Sequence, residues 1–268
     1  MNALRTPAMI VLAAVFAAAL AADALAPARY DVQFREAPGA PPSRQFPLGT
    51  DDLGRDRLSR LLYGSRVSLL LAPAAAFVVV ALAAITGGLA GFLGGWPERI
   101  LTGAMDLSLS LPWLFGLLTV RAMLPLDVPP LTSAAITFLM LGVLGWAAPA
   151  RVVRAAVASI RTSEFIRQAR ACGSRGFRLW LVHLLPNLKP VLIAQFLVSI
   201  PVFILSEANL GLLGLGVAEP MPSWGSLLRE LENISEVRSN PWMLAPVALL
   251  VVVITCLQLV VPRKDFVA

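Results

Sequence analysis

The sequence predicts an all-α integral membrane protein with six transmembrane helices, on three observations. First, 57% of its 268 residues are hydrophobic and 14% are charged, against about 45–50% and about 25% in soluble domains. Second, the mean hydropathy is +0.76, and the charges sit between long uncharged runs. Third, none of those runs alternates apolar and polar residues as the strands of a membrane barrel do. Disorder is excluded because disordered chains are poor in apolar residues. Two cysteines, Cys172 and Cys256, exclude a disulfide-stapled scaffold.

A helix crosses a hydrocarbon core of about 30 Å with about 20 apolar residues, and six runs qualify. The first is Thr6–Ala22, closed by Asp23. Arg5, this run and Ala24-Leu25-Ala26 also fit a secretory signal peptide with its cleavage site. Val67–Pro97 is 31 residues long, so it must tilt or include interfacial turns. Ile100–Val120 contains Asp106, Val128–Ala150 is uninterrupted, and Pro190–Ala218 contains Glu207. Ser239–Pro262 is the sixth. The organisation expected is a first helix within 1–26, an outer strap and interfacial helix at 27–66, and a transmembrane core at 67–262. Core spans lie at about 67–95, 100–121, 130–150, 190–216 and 242–262, with loops at 151–189 and 217–241 and a tail at 263–268.

Orientation follows from Lys and Arg near the span ends. The loop 151–189 holds seven Arg, one Lys and a single Glu. This places the loop and both termini in the cytoplasm. The net charge of +6 is then a topology signal, and no nucleic-acid partner is expected.

Within that loop, Val152, Val153, Ala156 and Ile160 continue the helical period of the fourth span. Ser163 can cap a helix over 164–172, with Phe165, Ile166 and Ala169 on one side. After Gly173, Ser174 can cap another helix presenting Phe177, Trp180, Leu181 and Leu184, which Pro186 should end. A glycine at the junction suits a turn that needs positive φ. A basic helix pair of this kind can simply fix topology, or it can dock a soluble partner.

Arg167-Gln168-Ala169, Gly173 and His183-Leu184-Leu185-Pro186 resemble the loop E-A-A-x3-G-x9-I-x-L-P of ABC importer permeases, with Arg167, Gln168 and His183 replacing Glu, Ala and Ile. Phe46-Pro47-Leu48-Gly49-Thr50-Asp51-Asp52-Leu53-Gly54-Arg55-Asp56, through Tyr63-Gly64-Ser65-Arg66-Val67-Ser68-Leu69, resembles the segment before the second span of dipeptide, oligopeptide and nickel permeases. Glu207-Ala208, Leu213-Gly214-Leu215-Gly216 and Pro220-Met221-Pro222-Ser223-Trp224-Gly225 resemble their last outer loop. The chain is therefore similar to the "C" member of that permease pair. The resemblance implies a type I importer permease fold in the cell (inner) membrane, with a cytoplasmic coupling-helix loop. It also implies a homologous second permease, two ABC ATPase subunits that bind ATP and Mg, and an extracytoplasmic substrate-binding protein. Arg167, Gln168, Ala169, Gly173, His183, Leu185 and Pro186 would then couple to the ATPases. Dipeptides or oligopeptides are the implied cargo, with nickel complexes or other small solutes as the alternative.

On the outward face, Thr50, Asp51 and Asp52 can cap a helix with Leu58, Leu61 and Leu62 on one side, whose Arg55, Asp56, Arg57 and Arg60 should be solvated. Glu207, Pro222 and Trp224 are candidates for contact with the pathway or the binding protein, although a buried hydrogen-bonded carboxylate and a belt tryptophan fit as well. Gly87, Gly91 and Gly95 form a small-residue row suited to close helix packing. Both cysteines are placed inside or in the membrane, and Cys172 is expected to pack beside Gly173. The sequence has no phosphate-loop motif, and its single histidine, His183, cannot build a His metal site or a Ser/His/Asp triad. No catalytic residue, metal or cofactor is therefore expected in this chain. An ion-coupled secondary transporter is the competing class, although no inverted repeat supports it.

Overall fold

The computed structural model describes residues 2–123, 128–174 and 176–261. The helices run α1 Asn2–Leu20, α2 Ala22–Leu25, α3 Arg57–Leu93, α4 Gly95–Ser110, α5 Trp113–Met123, α6 Pro130–Leu144 and α7 Ala147–Arg161. They continue with α8 Glu164–Ala171, α9 Gly176–Leu179, a π turn at Trp180–Leu184, α10 Leu185–Leu212, α11 Trp224–Arg229, α12 Ile234–Ser239 and α13 Ala245–Val260. Among the described residues three helices are long and apolar enough to cross a membrane: α3, the π turn with α10, and the segment ending in α13. A bent pair, α6 and α7, joined at 42°, qualifies as a fourth. The predicted tail 263–268, with Arg263 and Lys264, lies outside the described residues.

The chain divides into two units, one of Met1–Pro73, Arg121–Phe138 and Pro201–Val261, the other built on Ala74–Val120 and Leu139–Ile200. In the first, α1 packs along α13, burying Ala8 and Ala19. The second has a core of Ala83, Ala90, Met105, Ala150, Val153, Val157, Ile166 and Leu184. There Gly87 and Gly91 let α3 approach α7: an added Cβ at Gly91 would stand 2.7 Å from the Arg154 carbonyl oxygen. Gly95 does not join this row, because with Gly94 it takes positive φ at the break between α3 and α4.

Several boundaries differ from expectation. The interfacial helix and the second span are one helix, α3, of 37 residues. It is capped by Asp56, whose Oδ2 accepts from the Ser59 amide at 2.7 Å. Thr50 and Asp51 instead close the preceding turn: Thr50 Oγ1 accepts from Ala40 N, and Asp51 Oδ1 accepts from Leu53 N and Arg55 N. The third predicted run breaks at Leu111-Pro112 and the fourth bends after Leu144. Pro186 does not end a helix. The Leu185 amide bonds back five residues to the Trp180 carbonyl, and this wider turn lets the chain run on into α10. A proline with no N–H is tolerated there.

Gly91→Ala should destabilise the purified protein by about 1–3 kcal/mol through overpacking, whereas Gly103→Ala, whose Cβ meets nothing within 4 Å, should stabilise α4. Thermal unfolding checks this. A loss of the same size at both positions would contradict the close α3–α7 contact.

Candidate functional site

In the first unit the Glu207 carboxylate has no solvent exposure. A buried carboxylate is costly unless it is hydrogen-bonded, and three donors reach it. Ser223 Oγ donates to Oε1 at 2.6 Å, and Gly225 N and Ser68 Oγ donate to Oε2 at 3.3 and 3.4 Å. Ser223 also caps α11, exchanging hydrogen bonds with Ser226. Trp224, likewise fully buried, donates from its indole to Ser65 Oγ at 2.9 Å and from its amide to Ser68 Oγ at 3.2 Å. Gly211 and Gly225 meet backbone to backbone. A Cβ on Gly225 would stand 2.6 Å from the Glu207 carbonyl oxygen. Pro222 is buried beside them. Glu207, Pro222 and Trp224 are thus brought together, with Ser65, Ser68 and Ser223 added as partners that the sequence reading quoted but did not single out.

A second polar cluster ties the segment 27–66 to the loop 217–241. Arg55 pairs with Asp51 and Glu219, each at 2.7 Å, and Arg57 pairs with Glu230 at 2.8 Å. Arg60 lies between Glu219 and Glu230, 3.3 Å from each. Arg55, Asp56 and Arg60 are buried, Arg60 at 1% exposure. This corrects the expectation of a solvated face: Arg55 and Arg60 pair with carboxylates some 160 residues away as well as with Asp51, and Asp56 is held by Ser59 at the helix start, so all three are removed from water. Burial pushes the Glu230 carboxyl above its ordinary range, against the opposing pull of Arg60 and Arg57. A cavity of about 510 Å3 opens on this cluster.

In the second unit, α8 turns its two sides to different environments. Ile166 is buried and Ala169 packs on the core, whereas Arg167 and Gln168 are exposed. Phe165, expected on the buried side, is exposed. Gly173 takes φ +85, and the amides of Gly173 and Ser174 bond to the carbonyls of Arg170 and Ala169. This is the glycine-terminated helix end that the spacing anticipated. Ser163 precedes α8, but its hydroxyl bonds back to the Ile160 carbonyl and does not cap the helix. Cys172 is exposed and so is not packed, unlike Cys256. Leu184 is buried, Leu181 is exposed and His183 and Leu185 are half-buried, with Pro186 exposed. The Phe177 side chain lies outside the described residues. Asp106 pairs with Arg151 and Glu98 with Arg154, the latter at 2.5 Å. Among the described residues no group of three or more His, Cys, Asp or Glu is placed to hold a metal ion.

Residues 83–263 match the family model "Binding-protein-dependent transport system inner membrane component". The chain belongs to this family. An oligopeptide transport system permease protein of Mycobacterium bovis is 33% identical over 250 residues, 91% of this chain and 82% of the relative. A dipeptide transport system permease protein of Bacillus subtilis is 32% identical over 241 residues, covering 90% and 73%. A di/tripeptide transport system permease protein of Pseudomonas aeruginosa is 35% identical over 224 residues, covering 81% and 72%. The family match takes in α8, Gly173, Glu207 and Trp224, while the strap 27–66 lies before it.

The hydrogen-bonding of Glu207 gives a sharp expectation. Glu207→Gln, which keeps an acceptor, should assemble and support near-normal activity, whereas Glu207→Leu should assemble poorly, because Ser223 and Gly225 lose their acceptor at a cost of about 1–3 kcal/mol each. A well-assembled Gln variant whose uptake changed differently for cationic and anionic cargo would overturn the structural role.

Proposed function

We propose that the chain is the "C"-type permease subunit of an ATP-driven ABC importer for dipeptides or oligopeptides. Membership of the binding-protein-dependent family supports the class, and the names of the relatives support the cargo. The observation that carries the mechanism is α8 with Gly173: one side is anchored in the core of its unit, and Arg167 and Gln168 are presented outward. In this reading the loop 151–189 docks an ATPase subunit in the cytoplasm, with both termini on the same side and six spans in the inner membrane. The ATPases bind ATP and Mg. A second permease completes the pathway, and a substrate-binding protein delivers the peptide to the outer face. Nickel complexes remain the alternative cargo, since the quoted stretches are shared with nickel permeases. Glu207, Pro222 and Trp224 serve by shaping the outer loop, because all three are buried within their unit.

Two measurements test this. Arg167→Glu reverses an exposed charge without touching the core, so it should leave membrane insertion intact while the ATPase subunits no longer co-purify and uptake falls. Gly173→Leu should do the same by straining a positive-φ position at about 1–2 kcal/mol, whereas Gly173→Asn, which tolerates that conformation, should retain function. Full uptake with both Arg167→Glu and Gly173→Leu would sink the docking role.

The energy source is tested separately in sealed cells. A proton ionophore applied with ATP held constant should leave peptide uptake running. Collapse of uptake at constant ATP would instead favour an ion-coupled carrier.

A further inference from the structure

In the first unit, two uncharged runs end at the same place. Asp23 is the first charge after Thr6–Ala22, and Arg66 is the last charge before Val67–Pro97. Arg66 Nη2 donates to Asp23 Oδ2 at 2.8 Å, and Tyr63 Oη donates to Asp23 Oδ1 at 2.7 Å. Two stretches free of charge thus meet at one ion pair, which marks the boundary between hydrocarbon and polar headgroups. Arg66 also lies 5.3 Å over the Tyr63 ring, and Tyr63 packs edge-on against Tyr30 at 5.1 Å. Tyrosines and arginine at that level are the side chains that anchor to a headgroup layer.

A cavity of about 260 Å3 opens here, its lining including Tyr30, Tyr63 and Arg66 and the apolar Leu70, Leu71 and Leu131. The wall is apolar on the side where the sequence carries no charge. Leu70 is 43% and Leu131 61% exposed. The volume suits part of one acyl chain. Asp23 does not itself line the cavity, but its side chain, 71% exposed, is paired with the lining Arg66 guanidinium, so both signs stand beside the opening. The bonds of Arg66 to the Ala19 and Leu20 carbonyls and to Asp23 use Nε and Nη2 but not Nη1. An anionic headgroup alone would meet the Asp23 carboxylate unfavourably. A zwitterionic headgroup satisfies both charges, with its phosphate on Arg66 and its ammonium on Asp23. A primary ammonium can also donate hydrogen bonds, to Asp23 and to the Tyr63 oxygen.

We propose that this cavity is a binding site for one phospholipid with a phosphoethanolamine headgroup, held by Asp23, Tyr63 and Arg66 with an acyl chain against Leu70, Leu71 and Leu131. Nothing in this proposal depends on which solute the protein carries.

The test is native mass spectrometry of the protein purified from its membrane with whatever subunits accompany it. The preparation is delipidated and then offered dioleoyl phosphatidylethanolamine or dioleoyl phosphatidylglycerol. One phosphatidylethanolamine should be retained at collision energies that strip phosphatidylglycerol. Retention should fall about fivefold in Arg66→Gln, the factor for one basic side chain near a headgroup, and comparably in Asp23→Asn. Leu71→Trp, which fills the cavity and leaves the ion pair, should abolish retention and serves if the charge variants fail to assemble. Equal retention of the two lipids, or retention unchanged by Leu71→Trp, would overturn the site. So would a Leu131→Cys variant that cross-links to a second permease subunit and carries no lipid, since a protein would then cover the cavity.

Discussion

A carboxylate with no access to water cannot be left to solvent, and the arrangement of the loop 217–241 follows from that constraint at Glu207. Its acceptors need donors within the chain, and the chain supplies them from two remote places, Ser68 on α3 and the Ser223–Gly225 turn that starts α11. Those donors reach it only if backbones approach closely, which is why Gly211 and Gly225 face one another with no room for a side chain. The same turn buries Trp224, whose indole finds Ser65 one helical turn before Ser68. Glycine, serine and tryptophan at these positions answer one electrostatic requirement.

The strap is tied down by a second requirement of the same kind. Arg60 is buried among carboxylates from both ends of the sequence, Asp51 on one side and Glu219 and Glu230 on the other. Buried ion pairs return little net stability against hydrophobic replacements, but removing one partner is strongly destabilising, at about 3–5 kcal/mol. Such a cluster contributes less by its strength than by allowing one pairing of strap and loop. Arg55, Arg57 and Arg60 against Asp51, Glu219 and Glu230 are three charges of each sign, so a shifted register would strand charge.

The spans that depend on composition were legible in the sequence: α3 and α13 extend or lie within a charge-free run, and α10 overlaps the run Pro190–Ala218, which only Glu207 interrupts. Gly173 was legible too, because a helix end needs a positive-φ residue and the local pattern names it. The buried role of Arg55 and Arg60 was not, since nothing in a run of charges reveals partners some 160 residues away. Pro186 was misread for the opposite reason. The local rule that proline ends a helix is sound, but one π turn moves the hydrogen bonds and lets α10 form around it. Glu207 lay between these cases. Its depth could be counted from the span, but Ser68 and Ser223, though quoted in the resembling stretches, gave no hint that they would meet it.

The pattern of departures in the loop 151–189 has a physical logic. Ala169 and Gly173 keep the family form where packing or backbone angle constrains them, since Ala169 lies against the core and Gly173 holds φ +85. Arg167 and Gln168 depart where the side chains are exposed, so neither substitution costs the fold anything. His183, half-buried, is the third departure, and a polar tip on an apolar body suits a position at the edge of the core. What changes is the charge offered outward: where the pattern presents a carboxylate, this chain presents a guanidinium. The Arg167 guanidinium stands exposed, 3.7 Å from Glu164 and bonded to the Thr162 carbonyl, so any surface meeting this side of α8 meets that ion pair.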